Sequence, residues 1–242
     1  MDCRDRPLSI RQECLAGMRD ILPLVIGAIP FGIIFGTLSA GSGLSAMGAM
    51  AMSIFVFAGS SQFIALGLLA AGTALPLIVL TTLVVNLRHL LYSISLMPHV
   101  HHLPPRWKAL MAFWLTDEGF AVAIARYNQS VSHQQTHWYV LGADLLMYGN
   151  WIACTALGLT VGQLIPNPAA IGLDFAMSAT FIGMTLPYLT TRPMRLSVAV
   201  AGIVSLLAHG LPHQLGLLSA AIAGLVAAAL ADRPTAAQPP QP

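Results

Sequence analysis

Eight apolar runs constrain the fold of this chain more than any other feature of its sequence. They lie at residues 21–40, 47–71, 75–97, 107–125, 138–161, 170–190, 194–208 and 212–231. Because an α-helix rises about 1.5 Å per residue, about 20 apolar residues span the ~30 Å hydrocarbon core of a bilayer. The run 194–208 is shorter and fits a partial span. The sequence therefore predicts an all-α integral membrane protein with seven or eight transmembrane helices.

Charged residues are too few for a water-soluble domain. They make up 8% of this chain, against about 25% of an average soluble domain. The net charge of +2 gives no indication of a nucleic-acid partner. Cys3, Cys14 and Cys154 are widely spaced, so they predict neither a disulfide framework nor a metal site. We expect a protein that is surrounded by lipid and has no cofactor.

The two ends of the chain differ from its apolar centre. Residues 1–20 carry charges of both signs without the order of a cleaved signal peptide, and their arginines favour a cytoplasmic amino end. Ser9 and Gln12 predict a capping box for a short surface helix over 10–19, with a disordered tail as the alternative. The expected divisions are a cytoplasmic segment at 1–20, a transmembrane domain at 21–231 with halves at about 21–125 and 138–231, and a disordered tail at 232–242.

Interruptions are expected in the first and second runs. Pro23 and Pro30 lie inside the first run, so its helix should be kinked or broken. Three uninterrupted crossings would also place Arg106 and Lys108 outside the cell, against the positive-inside rule. We therefore predict that the second run is re-entrant or consists of two half-helices, interrupted within F-A-G-S-S-Q-F at 57–63.

An internal repeat coincides with this interruption. F-A-G-S-S-Q-F-I-A-L-G-L at 57–68 matches F-A-M-S-A-T-F-I-G-M-T-L at 175–186 in six of twelve positions. Interrupted segments at corresponding places in two related halves are typical of a transporter's substrate site. Coincidental packing of small residues between membrane helices is the alternative interpretation.

The third run carries an arginine and a histidine inside an otherwise apolar helix. At 100° per residue, one half of this helix surface is polar and the other apolar. The apolar half contains Leu87, Leu90, Leu91 and Ile94, and the polar half contains Asn86, Arg88, His89, Tyr92, Ser93 and Ser95. A charge near the bilayer centre costs at least ~2.5–3.5 kcal/mol, so Arg88 should face a carboxylate, an anionic ligand or a wet cavity. A purely structural ion pair is the alternative.

The fourth run, 107–125, contains two adjacent carboxylates, which the sequence places in the middle of a helix. Asp117 and Arg88 lie at similar distances from the connector between their helices, so they should reach the same depth in the membrane. Neighbouring helix residues point about 100° apart, so Asp117 and Glu118 cannot both face Arg88. We predict that Asp117 pairs with Arg88 while Glu118 titrates. A surface helix with solvated carboxylates is the alternative.

The F-A-G-S-S-Q-F segment offers the groups that bind a small zwitterion. Ser60, Ser61 and Gln62 supply hydroxyls and an amide, and Phe57 and Phe63 supply apolar walls. Helix ends at an interruption add free backbone groups for a carboxylate and an ammonium group. Close contact between helices through small residues is the alternative.

Other titratable residues give weaker indications. His99, His101 and His102 form a short loop cluster without cysteine or carboxylate neighbours, so we do not expect a metal site. Asp144 and Asp174 lie near the ends of apolar runs, where an interfacial position is expected.

Four motifs resemble the AzlC family of branched-chain amino acid permeases, the bacterial inner-membrane exporters associated with azaleucine resistance. These are P-F-G at 30–32, F-A-G-S-S-Q-F at 57–63, N-L-R-H-L-L-Y-S at 86–93 and L-T-D-E-G-F-A at 115–121. The family often has Ala where Ser61 stands here. The resemblance implies the large subunit of a two-component exporter, working with a small four-helix AzlD-like partner. Its substrates would be valine, leucine and isoleucine, with methionine as a further candidate.

The function expected from these features is proton-coupled export of branched-chain amino acids, without enzymatic activity. The expected substrate-binding residues are Phe57, Ser60, Ser61, Gln62, Phe63, Asn86, Arg88 and Tyr92, and those for proton coupling or an ion pair are Arg88, His89, Asp117 and Glu118. Histidine suits such a role because small shifts move its titration across physiological pH. An intramembrane enzyme using His89 with the two carboxylates is a second hypothesis, disfavoured by the lack of a nucleophile motif. An ion channel or scaffold subunit is a third.

Overall fold

A computed structural model describes residues 9–129, 135–162, 182, 186, 189–211 and 215–232. Within these residues the secondary structure is helical, without strands. The α-helices are α1 (Ile10–Gly41), α2 (Ala46–Ala51), α3 (Gly59–Ala70), α4 (Leu75–Val100), α5 (Pro105–Trp114), α6 (Asp117–Tyr127), α7 (Thr136–Val161), α8 (Arg192–Leu207) and α9 (Leu215–Ala231). A π-helix, Met52–Val56, directly follows α2.

Three of these helices, α1, α4 and α7, are long and apolar enough to cross a membrane. Shorter apolar helices cover Ala46–Val56, Gly59–Ala70 and Ser219–Ala231. The predicted class, an all-α membrane protein, agrees with these helices. The number of seven or eight crossings stays a prediction. The second copy of the repeat at 175–186 and Asp174 lie almost entirely outside the described residues.

Two compact units divide the chain, Met1–Ile171 and Gly172–Pro242. In the second unit, α8 packs against α9, where Ser197 Oγ donates a hydrogen bond of 2.8 Å to the carbonyl of Gly224. The first unit contains α1 to α7 and every residue that the sequence singled out for a site.

Helix α1 begins at the predicted capping box. The side chain of Ser9 accepts a hydrogen bond from the Gln12 N–H, and the Gln12 side chain accepts one from the Ser9 N–H. The helix then continues through Pro23 and Pro30 without a break. A separate surface helix over 10–19 and a broken first run are therefore both wrong.

Close contact with α7 explains this continuity of α1. Glycines let the two backbones meet, because a Cβ at Gly17 or Gly36 would overlap a carbonyl of α7. Likewise, a Cβ at Gly142 or Gly158 would overlap a carbonyl of α1. Small residues allow such close packing between membrane helices. Packing along this interface stabilises α1 enough to offset the backbone hydrogen bonds that its prolines lack.

The second run is interrupted, as the sequence predicts, between the π-helix and α3. Phe57 adopts the left-handed conformation with φ 43°, and Ala58 has φ −134° and ψ 87°, so α3 begins anew at Gly59. A bulky residue rarely adopts this conformation. The ring of Phe57 is buried beside Tyr148 of α7, with 4.9 Å between ring centroids. Burial of this ring holds the interruption in place.

The fourth run is also interrupted, which the sequence analysis missed. Leu115 is extended with ψ 116°, and Thr116 caps α6 by accepting a hydrogen bond of 3.1 Å from the N–H of Gly119. The prediction that Asp117 and Glu118 lie in the middle of a helix is therefore wrong. They lie in the first turn of α6, where a threonine cap and the positive end of the helix dipole favour carboxylates.

Helix α4 has the two predicted faces. Leu87, Leu90, Leu91 and Ile94 are exposed on one side, while Asn86, Arg88, His89 and Tyr92 on the other side are partly buried. Ser95 is exposed and donates to the carbonyl of Leu91. The partly buried side faces the two interruptions, whereas the leucine side is suited to lipid.

Candidate functional site

Asp117, in the first turn of α6, is bound on both carboxylate oxygens by α4. Arg88 Nη1 donates to Asp117 Oδ2 at 2.5 Å, and Tyr92 Oη donates to Asp117 Oδ1 at 2.7 Å. The ring of Tyr92 also stacks on Phe120, with 4.5 Å between centroids. The predicted ion pair is therefore present, and it fixes the second interruption against α4.

The first interruption reaches the same helix through Ser61. Ser61 Oγ donates a hydrogen bond of 2.6 Å to Asn86 Oδ1, two residues before Arg88. One stretch of α4 therefore contacts the amino-terminal turns of both α3 and α6. Each amino-terminal turn carries partial positive charge and N–H groups that have no partner within its helix.

Gln62 belongs to a buried hydrogen-bond network behind the first interruption. Its Nε2 donates to Ser53 Oγ at 3.1 Å, and its Oε1 accepts from Trp151 Nε1 at 3.0 Å. Ser53 is joined to Thr155 at 2.8 Å, and all three polar residues are fully buried. In this conformation the amide of Gln62 is occupied by the protein itself, in contrast to its predicted contact with a substrate.

The two predicted aromatic residues pack into the protein interior on opposite sides of the interruption. Phe63 contacts Phe31 and Phe35 of α1 edge to face, with centroids 6.3 and 5.8 Å away. Phe57 contacts Tyr148 of α7. Between them, Ser60 at the start of α3 remains partly exposed. The structure therefore brings Ser61 and Asn86 together, whereas the two phenylalanines pack into the interior behind them.

His89 and Glu118 lie beside the ion pair. The His89 ring meets Tyr92 edge to face with 6.0 Å between centroids. Glu118 is partly buried and directly follows Asp117 in the first turn of α6. The loop position predicted for His99 is wrong, because it lies in the last turn of α4, where its ring stacks on Tyr127 of α6 with 4.9 Å between centroids.

A polar stripe on α7 runs behind both interruptions and was missed by the sequence analysis. It consists of Asp144, Tyr148, Trp151 and Thr155, whose spacings of four, three and four residues place them on one face of the helix. Trp151 lies against Gly59, and Tyr148 Oη donates to the carbonyl of Ile54 at 2.9 Å. The helical spacing of these four residues is the feature of the sequence from which this stripe could have been predicted.

The interfacial position expected for Asp144 is wrong. Asp144 is 1% exposed, and its Oδ1 lies where a Cβ of Gly119 would stand. Packing between helices explains why Asp144 is buried. Helix α6 begins beside this residue with a glycine in its first turn, which leaves room for the carboxyl group.

A second buried ion pair joins α1 and α6 away from the interruptions. Arg126 Nη2 donates to Glu13, and its guanidinium lies 5.1 Å from the ring centroid of Tyr139. Tyr139 Oη in turn donates to Asp20 at 2.8 Å.

The chain is similar to proteins of known families over the region that holds these features. The family model described as AzlC protein matches residues 23–165. An uncharacterized membrane protein of Archaeoglobus fulgidus is 34% identical over 84% of this chain and 88% of that protein. Inner membrane protein YgaZ of Escherichia coli is 32% identical over 71% of each chain.

A third relative carries a functional name. Branched-chain amino acid transport protein AzlC of Bacillus subtilis is 31% identical over 66% of this chain and 62% of that protein. No solved structure is significantly similar to this chain.

Proposed function

The chain belongs to the AzlC family of membrane proteins, and from this membership we propose that it is a secondary transporter that exports branched-chain amino acids. The name of the Bacillus subtilis relative supports this substrate class, and the name of the Escherichia coli relative supports an inner-membrane location. The family is a transport family, which favours a transporter over an enzyme. Arginines near the amino end support its cytoplasmic placement.

The observation that carries this proposal is the meeting of two interrupted helices at one stretch of α4. Ser61 reaches Asn86, and Asp117 reaches Arg88, so both amino-terminal turns lie beside the polar side of the same helix. Discontinuous helices with amino-terminal ends at the substrate are typical of secondary transporters, because the free N–H groups bind the substrate carboxylate.

The proposed carboxylate site is the amino-terminal turn of α3. The N–H of Gln62 is the first in this turn to bond backward, to the carbonyl of Ala58 at 2.9 Å. The preceding N–H groups, of Gly59, Ser60 and Ser61, are therefore the ones a carboxylate would meet. The Ser60 hydroxyl and Asn86 would add side-chain contacts. Gln62 would act as a positioning residue that holds the turn through Ser53 and Trp151.

Different groups of the protein would bind the branched side chain of the substrate and exchange the coupling proton. We assign the side chain to the apolar surroundings built on Phe57 and Phe63. Arg88 and Tyr92 each bond to one carboxylate oxygen of Asp117, so Asp117 would attract the substrate ammonium group or maintain the ion pair. His89 and Glu118 would exchange protons beside them.

A small AzlD-like membrane subunit is the proposed partner. The family resemblance supports it, and the experiment below tolerates its presence. Purification from native-like membranes, with identification of any co-purifying chain of about a hundred residues, tests this assignment separately.

Counterflow in liposomes tests the function. The purified chain, with any associated subunit, is reconstituted with unlabelled leucine inside, and uptake of labelled leucine is measured. We expect saturable uptake that valine and isoleucine inhibit and lysine does not. Absence of counterflow with every branched-chain amino acid, in liposomes that contain the folded protein, would overturn the proposal.

A pair of variants tests the site within the same assay. Ser60→Val removes a hydroxyl from the start of α3, whereas Thr160→Val removes one from an exposed position of α7. We expect loss of counterflow in the first and unchanged counterflow in the second. Equal activity of the two variants would exclude this turn as the carboxylate site.

A further inference from the structure

Asp144 is a buried carboxyl group without a polar partner. It is 1% exposed in the amino-terminal half of α7, and its Oδ1 has no hydrogen-bond partner within the described part of the chain. Burying an ionised carboxylate without a partner costs several kcal/mol or more, so such a group takes up a proton instead. This geometry favours the neutral, protonated form of Asp144.

The position of Asp144 sets it apart from the Arg88–Asp117 ion pair. Its Oδ1 lies against Gly119, which stands two residues after Asp117 in α6. Residues two apart point about 200° apart around a helix, so Asp117 and Gly119 face nearly opposite directions. The first turn of α6 thus lies between an ion pair on the α4 side and an unpaired carboxyl on the α7 side.

Several charged and titratable groups of the neighbouring helices are engaged elsewhere. The groups on these helices are Arg11, Glu13, Cys14, Arg19 and Asp20 on α1, Arg106 and Lys108 on α5, Asp117, Glu118, Arg126 and Tyr127 on α6, and His137, Tyr139, Tyr148 and Cys154 on α7. Glu13 is paired with Arg126, Asp20 with Tyr139, and Asp117 with Arg88. Tyr148 donates to Ile54, and Arg106 is exposed at the start of α5. Within the described residues, none of these groups forms a hydrogen bond or ion pair with Asp144.

Asp144 lies on the face of α7 that contacts residues at both interruptions. On the same face of α7, Tyr148 follows one turn later and contacts Phe57 and Trp114, which precede the two interruptions. A movement of the first turn of α6, with Gly119, away from Asp144 would open the carboxyl group to water. The amino-terminal end of α6 would then stabilise the ionised form, because a helix amino terminus favours negative charge.

We propose that Asp144 binds and releases the proton that drives transport, at the amino-terminal turn of α6. The coupling role rests on the proposed function, whereas proton binding by Asp144 does not. In the conformation described here Asp144 holds the proton, and displacement of the first α6 turn releases it to water. Glu118, which directly precedes Gly119 in that turn, would relay it.

Infrared spectroscopy tests proton binding without reference to transport. The full chain in liposomes is compared at acidic and alkaline pH, and the carbonyl stretch of a buried protonated carboxyl group is followed. We expect this band in the wild type and in Asp20→Asn, with its loss in Asp144→Asn. A band of unchanged intensity in Asp144→Asn would overturn the proposal.

Transport then tests the coupling. We expect Asp144→Asn, which resembles the protonated state, to retain leucine counterflow and to lose stimulation of leucine flux by a pH gradient. Stimulation equal to that of the wild type would overturn the coupling role, as would stimulation of the wild type by a sodium gradient alone. Loss of counterflow together with gradient-driven flux would indicate a structural role for Asp144 and equally overturn it.

A substitution at a glycine provides an alternative test if Asp144→Asn does not fold. Gly119→Ala places a methyl group against Asp144 Oδ1, whereas Gly149→Ala meets nothing within 4 Å. We expect the infrared band to shift in the first and not in the second. Identical bands in both variants would contradict the contact. The wild type could transport no amino acid and still show the infrared band that is lost in Asp144→Asn. That result would overturn the proposed function and support proton binding by Asp144.

Discussion

Arg126 on α6 donates hydrogen bonds to both carboxylate oxygens of Glu13 on α1, at 3.0 and 3.1 Å. At the other end of the same helix, Asp117 is paired with Arg88 on α4. Helix α6 is therefore attached at each end to a different neighbour by an ion pair. Only the pair at the first turn lies at the candidate site, so the two pairs should differ in what their removal changes.

Glu13→Gln should destabilise the protein without removing any group of the candidate site. Glu13 is 3% exposed, so the variant leaves the Arg126 guanidinium without its counter-charge inside the protein. Breaking a buried pair in this way costs about 3–5 kcal/mol. Thermal unfolding in detergent measures it. The double variant Glu13→Gln with Arg126→Gln should recover part of the loss, and a double variant less stable than Glu13→Gln would contradict this account.

Arg88→Gln and Asp117→Asn should each abolish leucine counterflow. Either change leaves a partner of the interhelical pair without its counter-charge and weakens the attachment of the first turn of α6 to α4. Counterflow of both single variants, normalised to folded protein, measures the effect. Wild-type rates in both would show that this pair is structural, the alternative that the sequence left open.

Phe57 should tolerate glycine better than alanine. Both substitutions remove the ring packed on Tyr148, which costs about 3–5 kcal/mol. Alanine additionally keeps the left-handed backbone penalty of about 1–2 kcal/mol, whereas glycine adopts φ 43° without it. Thermal unfolding of the two variants should therefore rank glycine above alanine. The reverse order would show that the left-handed conformation at this position carries no strain.

Gly158→Ala should destabilise the pairing of α1 and α7, and Gly27→Ala should not. A Cβ at Gly158 would overlap the carbonyl of Ile33, while one at Gly27 meets nothing within 4 Å. Overpacking costs about 1–3 kcal/mol, whereas glycine to alanine at an open helix position gains about 0.4–1 kcal/mol. The unfolding temperature should fall in Gly158→Ala and rise in Gly27→Ala. A stabilised Gly158→Ala would contradict the close backbone contact.

The features predicted correctly from the sequence follow from membrane energetics. Arg88 needed a partner because an isolated charge in hydrocarbon is costly, and Asp117 is that partner. The interruption at Phe57 followed from small and polar residues in the middle of an apolar run. Both predictions rest on the free-energy cost of placing charged or polar residues within an apolar run, which can be judged from a short segment of sequence.

Most of the features that were missed depend on contacts between distant segments. Thr116 ends one helix and caps the next. A threonine followed by two carboxylates is a signal for a helix start, but the sequence analysis treated residues 107–125 as a single apolar run and did not use it. Asp144 is buried because Gly119, far away in sequence, makes room for it. Whether the amide of Gln62 faces a ligand or Trp151 depends on the packing of α7, which periodicity alone does not determine.

Backbone-to-backbone contact along α1 and α7 limits how these two helices can rearrange. Glycines of each helix fit against carbonyls of the other, so sliding or rolling would drive side chains into the positions that only glycine can occupy. The two helices should therefore move as one rigid body throughout a transport cycle. Among the described helices of the first unit, the proposed alternating exposure of a substrate to the two membrane faces would then come from α4 and the half-helices that it touches, moving against this stationary pair.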